Sequence, residues 1–233
     1  MKIGILEAEQ LKPEIQQEFG SYGDMTRRLL TSVDSTVSFD VWPVINGHYP
    51  ADINACDAYL ITGSKASAYE DSPWIKQLEA YIQQLAERRK KLIGICFGHQ
   101  LIAQALGGRV EKSSKGWGVG VMASDVINRQ PWMQPFQKQF SLLVSHQDQV
   151  IELPTAAARI AGSDFCEYSS YQIGDHVLSF QGHPEFSPEY AKQSMDGRRT
   201  ILGEKRYQQA QATLGQKRDH KLVAQWILNF IAK

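Results

Sequence analysis

Between Lys91 and Gln104 the chain reads KLIGICFGHQLIAQ, an apolar strand that runs without a loop into a helical pattern, with Cys96 at the junction. Gly94 and Gly98 flank the cysteine as G-x-C-x-G, the thiol counterpart of the G-x-S-x-G nucleophile elbow. A side chain on so sharp a strand-to-helix turn sits on strained backbone, and neighbours two residues away must lack side chains or collide. The sulfur is then placed at the carboxyl end of the strand, where open α/β sheets hold their ligands. A helix N-terminus there favours thiolate over thiol, and the amide of Phe97 points toward the space above the sulfur, as an oxyanion donor must. Taken alone, the segment also fits a buried core cysteine beside helix-packing glycines.

The rest of the first half supplies the sheet that this turn needs. Lys2–Leu6, Thr36–Trp42, Ala58–Thr62 and Lys91–Cys96 read as strands, short and rich in apolar or alternating residues. Pro73–Lys90 is an amphipathic helix with Ile75, Leu78, Ile82 and Leu85 at helical spacing, and Gly98–Leu106 is a second, closed by Gly107 and Gly108. Pro13–Phe19 and Met25–Leu30 are helical or irregular. Strands alternating with helices predict an α/β fold: a three-layer αβα sandwich around a mostly parallel, open, flavodoxin-like sheet. The second half changes character. Val110–Ser124, Phe140–Ser145, Ala158–Gly162, Phe165–Ile173 and His176–Gly182 are short strand-like runs, expected to form an antiparallel ribbon attached to the sheet. Pro188–Gln193 and Lys221–Ile231 read as helices, and Ser194–Gln216 as a polar, partly helical surface. The reading is one domain over 1–233, with a helical, polar segment at about 188–233.

Composition excludes several function classes. Lys+Arg and Asp+Glu are 25 each, so the chain carries no net charge and is not built to bind nucleic acid or an anionic membrane. The apolar run at the N-terminus ends at Glu7, too short for the core of a signal peptide, and no stretch approaches the ~20 apolar residues of a membrane span. Three cysteines without close pairs (Cys56, Cys96, Cys166) fit a reducing compartment, so a cytoplasmic protein is expected. No CxxC or HxxxH pair occurs, and neither a metal nor another cofactor is expected.

The base candidate lies in Leu178–Phe186, LSFQGHPEF. Pro184 biases His183 toward extended geometry, in which residues i and i+2 face the same way. Glu185 can then accept from one ring nitrogen of His183 and leave the other to take a thiol proton. A solvated surface turn fits H-P-E alone; its occurrence together with G-x-C-x-G, in this order, favours a Cys-His-Glu set.

At this point the chain resembles the class I, triad-type glutamine amidotransferases. Gly94-Ile-Cys96-Phe97-Gly98-His99-Gln100 and Gly182-His183-Pro184-Glu185 match that family's two catalytic motifs. Leu60-Ile-Thr-Gly63-Ser64 looks like its oxyanion strand, and Val144-Ser145-His146-Gln147-Asp148-Gln149-Val150 like its S-H-x-D-x-V loop. The four blocks follow the family's order and reach Glu185. Ala68–Ile75 and Gly174–Phe186 also look like γ-glutamyl peptidases, within a group of free-standing forms similar to the amidotransferase part of GMP synthase.

The resemblance implies that Cys96 is the nucleophile, His183 the base and acid, and Glu185 the orienter. It implies that the amides of Ser64, beside Gly63, and of Phe97 hold an oxyanion, and that Gln100, Ser145, His146 and Gln147 hold a glutamine head group. The family often has a second glycine and a proline where this chain has Ser64 and Lys65, which brings a side chain into the pocket. The implied reaction is hydrolysis of the γ-amide of glutamine or a γ-glutamyl compound through a γ-glutamyl thioester.

A glutaminase subunit feeding ammonia to a separate synthase is the second reading, since no G-x-x-x-x-G-K-[ST] loop is present. A silent binding protein is the third. Cys56 and Cys166 read as packing residues, the five tryptophans as core or helix-packing anchors, and Arg198, Arg199, Lys205, Arg206, Lys217 and Arg218 as a solvated helical face.

Overall fold

The computed structural model describes residues 1–233. Its strands are β1 (Lys2–Glu7), β2 (Ser38–Pro43), β3 (Ala58–Ile61), β4 (Lys91–Ile95), β5 (Arg109–Lys112), β6 (Gly118–Val126), β7 (Gln139–His146), β8 (Asp148–Glu152), β9 (Ala157–Gly162), β10 (Ser170–Ile173) and β11 (Val177–Phe180). The helices are α1 (Pro13–Phe19), α2 (Tyr22–Thr31), α3 (Pro73–Glu87), α4 (Phe97–Ala105), α5 (Pro188–Asp196), α6 (Arg199–Leu202), α7 (Glu204–Gln211) and α8 (His220–Ile231).

Nine strands make one sheet in the order β2-β1-β3-β4-β11-β10-β9-β6-β7. The first five run parallel, in the 2-1-3-4-5 order of one doubly wound class. The run His176–Gly182, expected in an antiparallel ribbon, is instead the fifth parallel strand, because β11 pairs with β4 in parallel register. The antiparallel part continues this sheet through β10, β9, β6 and β7. A separate two-stranded ribbon pairs β5 with β8. The run 110–124 therefore splits at a turn between β5 and β6. The stretch 165–173 is strand only from Ser170. β8 was not foreseen, because DQVIE carries too few apolar residues to show a pattern.

Side-chain alternation along the parallel strands builds both faces. Leu60, Ile93, Ile95, Leu178 and Phe180 point into one core with α2 and α8, while Tyr59, Ile61, Leu92 and Val177 point into the other with α3 and α4. α8 is more than a polar tail. Trp226 is fully buried, packs edge-on against Trp132 and Phe140, and donates its indole N–H to the Pro135 carbonyl at 2.9 Å. No helix is long and apolar enough to cross a membrane.

Candidate active site

β4 lies at the centre of the sheet between β3 and β11, and the chain turns at its carboxyl end directly into α4. Cys96 forms this turn with φ of 51° and ψ of −101°, a conformation that side chains rarely adopt. Three main-chain bonds hold it there. Cys96 N–H donates to Phe180 at 2.9 Å, Gly98 N–H to Thr62 at 3.2 Å, and Gln100 N–H to the Cys96 carbonyl at 3.0 Å. The flanking glycines have the steric role assigned to them. A Cβ on Gly98 would stand 2.5 Å from the Ile61 carbonyl oxygen, and one on Gly94 would stand 2.8 Å from the Gly98 carbonyl. Gly98→Ala is therefore expected to cost about 1–3 kcal/mol, the usual penalty for overpacking. In a thermal melt it should unfold several degrees below the parent chain; an unchanged midpoint would show that the turn has room.

His183 follows β11 and is tied into the antiparallel wing by its N–H, which donates to the Leu143 carbonyl at 2.7 Å. Its ring stacks on Phe186, with centroids 3.7 Å apart. On another side it meets Gly63, where an added Cβ would come 2.8 Å from His183 Cε1. Nδ1 lies 2.6 Å from Glu185 Oε1, and both side chains are only 3% exposed. Burial alone would push this imidazole down. The Glu185 carboxylate and the Cys96 sulfur beside it outweigh burial and hold it well above its ordinary value, at about 10. With Nδ1 taken by Glu185, Nε2 is the nitrogen left to face sulfur. Cys96, His183 and Glu185, from two segments far apart in sequence, thus form one coupled set.

Cys96 is 4% exposed and is reached through a cavity of about 310 Å³. Ser64, Gln100, Ser145, His146 and Gln147 share its lining with Cys96. Gly63 and the Phe97 side chain lie behind the wall, Phe97 fully buried against Trp74. The Phe97 amide opens α4 and so has no acceptor within the helix. The Ser64 amide has no partner in the protein, while its hydroxyl turns back to accept from Ala66 N–H at 3.2 Å.

The Asp148 carbonyl organises the opposite wall. It accepts from Gln100 Nε2 at 2.8 Å and lies 3.0 Å from His146 Nδ1. Gln100 Nε2 also donates to Gln181 Oε1 at 3.1 Å, so its amide plane is set. Burial pushes the His146 imidazole down to about 4, which keeps it neutral and fits a positional role. His99 is structural, buried against Ser179 Oγ at 2.8 Å.

The expectation of a solvated basic face fails at Arg198. This residue lines the cavity, over the Trp117 ring at 5.7 Å and with Nη1 3.5 Å from Ser145 Oγ. Trp117, read as a packing anchor, is part of the same wall, and Arg218 donates to the Phe186 carbonyl at 2.9 Å. Lys65, Lys112, Tyr69, Asp148 and Ile201 also line the cavity. Of these, Lys65, Tyr69 and Asp148 stand in or beside segments singled out in the sequence, while Lys112 and Ile201 carry no sequence signal. Cys56 and Cys166 are buried and unpaired, as packing residues are, and burial pushes the Cys166 thiol up to about 12.

A doubly wound sheet with a cysteine on the strained turn after its central strand, coupled to a buried histidine–carboxylate pair, defines an α/β protein of the nucleophile-elbow class. Similarity to known proteins narrows this. The chain belongs to the class I glutamine amidotransferase family, whose model (Glutamine amidotransferase class-I) matches residues 18–199. It is 30% identical over 190 residues to gamma-glutamyl peptidase 3 of Arabidopsis thaliana, covering 78% of this chain and 76% of that one. A glutamine-hydrolyzing GMP synthase chain of Methanoculleus marisnigri, one subunit of that enzyme, is 30% identical over 97 residues, 41% of this chain and 52% of that one. Among solved structures, a glutamine amidotransferase from Thermotoga maritima superposes with a TM-score of 0.78 over 99% of this chain and 96% of that one. At 19% identity that likeness speaks for the fold alone.

Proposed function

We propose that this protein is a thiol hydrolase that cleaves the γ-amide bond of glutamine or of γ-glutamyl peptides. The observation that carries the reading is the coupling of Cys96, on its strained turn in the cavity wall, to a His183–Glu185 pair held at 2.6 Å. The Cys96 thiolate attacks the γ-carbonyl carbon, and the C=O electron pair moves onto oxygen, where the Ser64 and Phe97 amides meet it. Loss of one such donor typically costs about 3–4 kcal/mol. The intermediate collapses, the C–N bond breaks, and protonated His183 gives its proton to the departing nitrogen. A γ-glutamyl thioester remains. Neutral His183 then takes a proton from water, hydroxide adds to the thioester carbon, and the C–S bond breaks to release glutamate and restore the thiolate–imidazolium pair.

Gln100, Ser145, His146 and Gln147 hold the glutamyl head group in this scheme, on the wall organised by Asp148. The likeness to a gamma-glutamyl peptidase over about three quarters of both chains supports an autonomous hydrolase. The second reading, a glutaminase subunit feeding a synthase, rests on the shorter match to a GMP synthase chain. The two share their chemistry and part at one assay. The purified chain alone, given glutamine and γ-glutamyl dipeptides, is expected to release glutamate from the dipeptides without any added protein. Turnover that begins only when a synthase is supplied would favour the second reading, and silence under both conditions would sink the reaction itself.

A further inference from the structure

Glu9 is a buried carboxylate that the proposed chemistry does not use. It lies just beyond β1, is 5% exposed, and does not line the cavity that holds Cys96. A charge so placed is strongly destabilising unless its oxygens are satisfied, and here both are. Oε2 accepts from the Lys65 N–H at 2.8 Å; Oε1 accepts from the Gln10 N–H at 3.0 Å and pairs with Lys65 Nζ at 3.2 Å.

The consequence falls on the loop after β3. Thr62 is anchored three times: its N–H donates to Leu6, its carbonyl accepts from Gly98 N–H, and its hydroxyl accepts from Ala8 N–H. Glu9 anchors Lys65. The Ser64 amide lies between these fixed points with no partner of its own, in a residue that lines the Cys96 cavity. A loop on the surface would leave the Lys65 amide to water and its peptide planes free to turn. A carboxylate reaching in from another strand end removes that freedom.

We propose that Glu9 is a positioning residue for acyl transfer, holding the Ser64–Lys65 peptide so that the free Ser64 amide stays on the wall of the Cys96 cavity. The inference rests on the reaction proposed above. Its mark is selectivity: it acts on the step that develops an oxyanion and not on the sulfur itself. Alkylation by iodoacetamide forms the C–S bond at Cys96 with loss of iodide and generates no oxyanion.

The test compares Glu9→Gln, Glu9→Asp and Glu9→Ala with the parent chain on a γ-glutamyl dipeptide, with alkylation of Cys96 measured in parallel. The glutamine side chain keeps the reach and an accepting oxygen, so kcat should stay within about threefold. Aspartate keeps the charge but falls one methylene short, and alanine keeps neither. For both, kcat should drop roughly 10- to 100-fold with KM within about threefold, and the alkylation rate should hold within about twofold. If the alanine variant does not fold, the Gln–Asp pair decides. Parallel loss of kcat and alkylation, a Gln variant as slow as the Asp one, or no loss in any variant overturns the role of Glu9 while leaving the hydrolase reading in place. A parent chain that turns over no γ-glutamyl compound removes that reading, and this inference with it.

Discussion

Cys96→Gly is expected to be inactive and yet more stable than Cys96→Ala. Both replacements remove the sulfur, so both should lose all measurable release of glutamate from glutamine or γ-glutamyl dipeptides. They differ in backbone. Position 96 holds φ of 51° with ψ of −101°, where any Cβ is strained by about 1–3 kcal/mol and glycine is at ease. For a chain of this size each kcal/mol moves the melting midpoint by about 2–4 °C, so glycine should melt several degrees above alanine. Some of that gain is offset by the greater freedom of glycine in the unfolded chain. Two measurements bear on it: turnover, and thermal melting of the two variants side by side. Residual turnover at the parent rate in either one would remove Cys96 from the chemistry. Equal midpoints would mean that the strain at the turn is no larger than the entropy cost of glycine, about 0.4–1 kcal/mol, and would overturn the ~1–3 kcal/mol expected here.

The second large effect is expected from Glu185→Gln, which keeps the shape of the orienting side chain and removes its charge. The 2.6 Å contact to His183 Nδ1 would persist with the amide oxygen as acceptor, but the imidazolium would lose its principal stabilising neighbour in a buried site. Turnover should fall by roughly 10²–10⁴-fold, the range over which general acid–base groups and their orienters act.

The pH dependence carries the sign. In the folded parent the His183 pKa is raised to about 10 from an ordinary 6.5, so the folded state binds this proton more tightly than the unfolded one. The resulting stability is fully present below about pH 6.5 and is lost as pH rises through about 10. In the variant the largest influence opposing burial is gone, only the Cys96 sulfur is left against it, and the His183 pKa falls. The alkaline limb of the turnover profile should move toward neutral pH. The stability difference between parent and variant should be largest near and below neutrality and shrink on the way to pH 10. Superimposable profiles for parent and variant would show that Glu185 does not set the charge on His183.

Much of this site was legible because its chemistry is local. G-x-C-x-G forces a steric solution within five residues, and the collisions that a Cβ would meet at Gly94 or Gly98 are the ones that solution avoids. H-P-E likewise places imidazole and carboxylate on one side of an extended segment, and their contact follows from a two-residue spacing. Strands β1, β3 and β4 were legible for the same reason, since strands buried on both faces are apolar runs, whereas the half-exposed β2 showed only by alternation and the parallel place of β11 did not show at all. Elsewhere the signals were silent. Arg198 and Lys112 look like any other surface cations, and Trp117 like any packing residue, until folding brings the end of β5, the turn before β6, the end of β7 and the α5–α6 junction around one cavity. β8 hides because it pairs only with β5, in a ribbon with little apolar face.

What the sequence determined by itself was the local conformation: a strand breaking sharply into a helix at Cys96, a histidine and a carboxylate side by side at 183 and 185, and an α/β alternation to carry them. Tertiary structure alone decided which distant groups meet. It set His183 against Cys96 and Gly63, folded Trp226 of the C-terminal helix into the core, and closed a buried Glu9 onto the Lys65 amide. The physical reason is one of range. Steric and hydrogen-bond rules over a few residues act wherever the motif occurs, whereas contacts between strand ends exist only once burial of apolar faces has fixed the strand order.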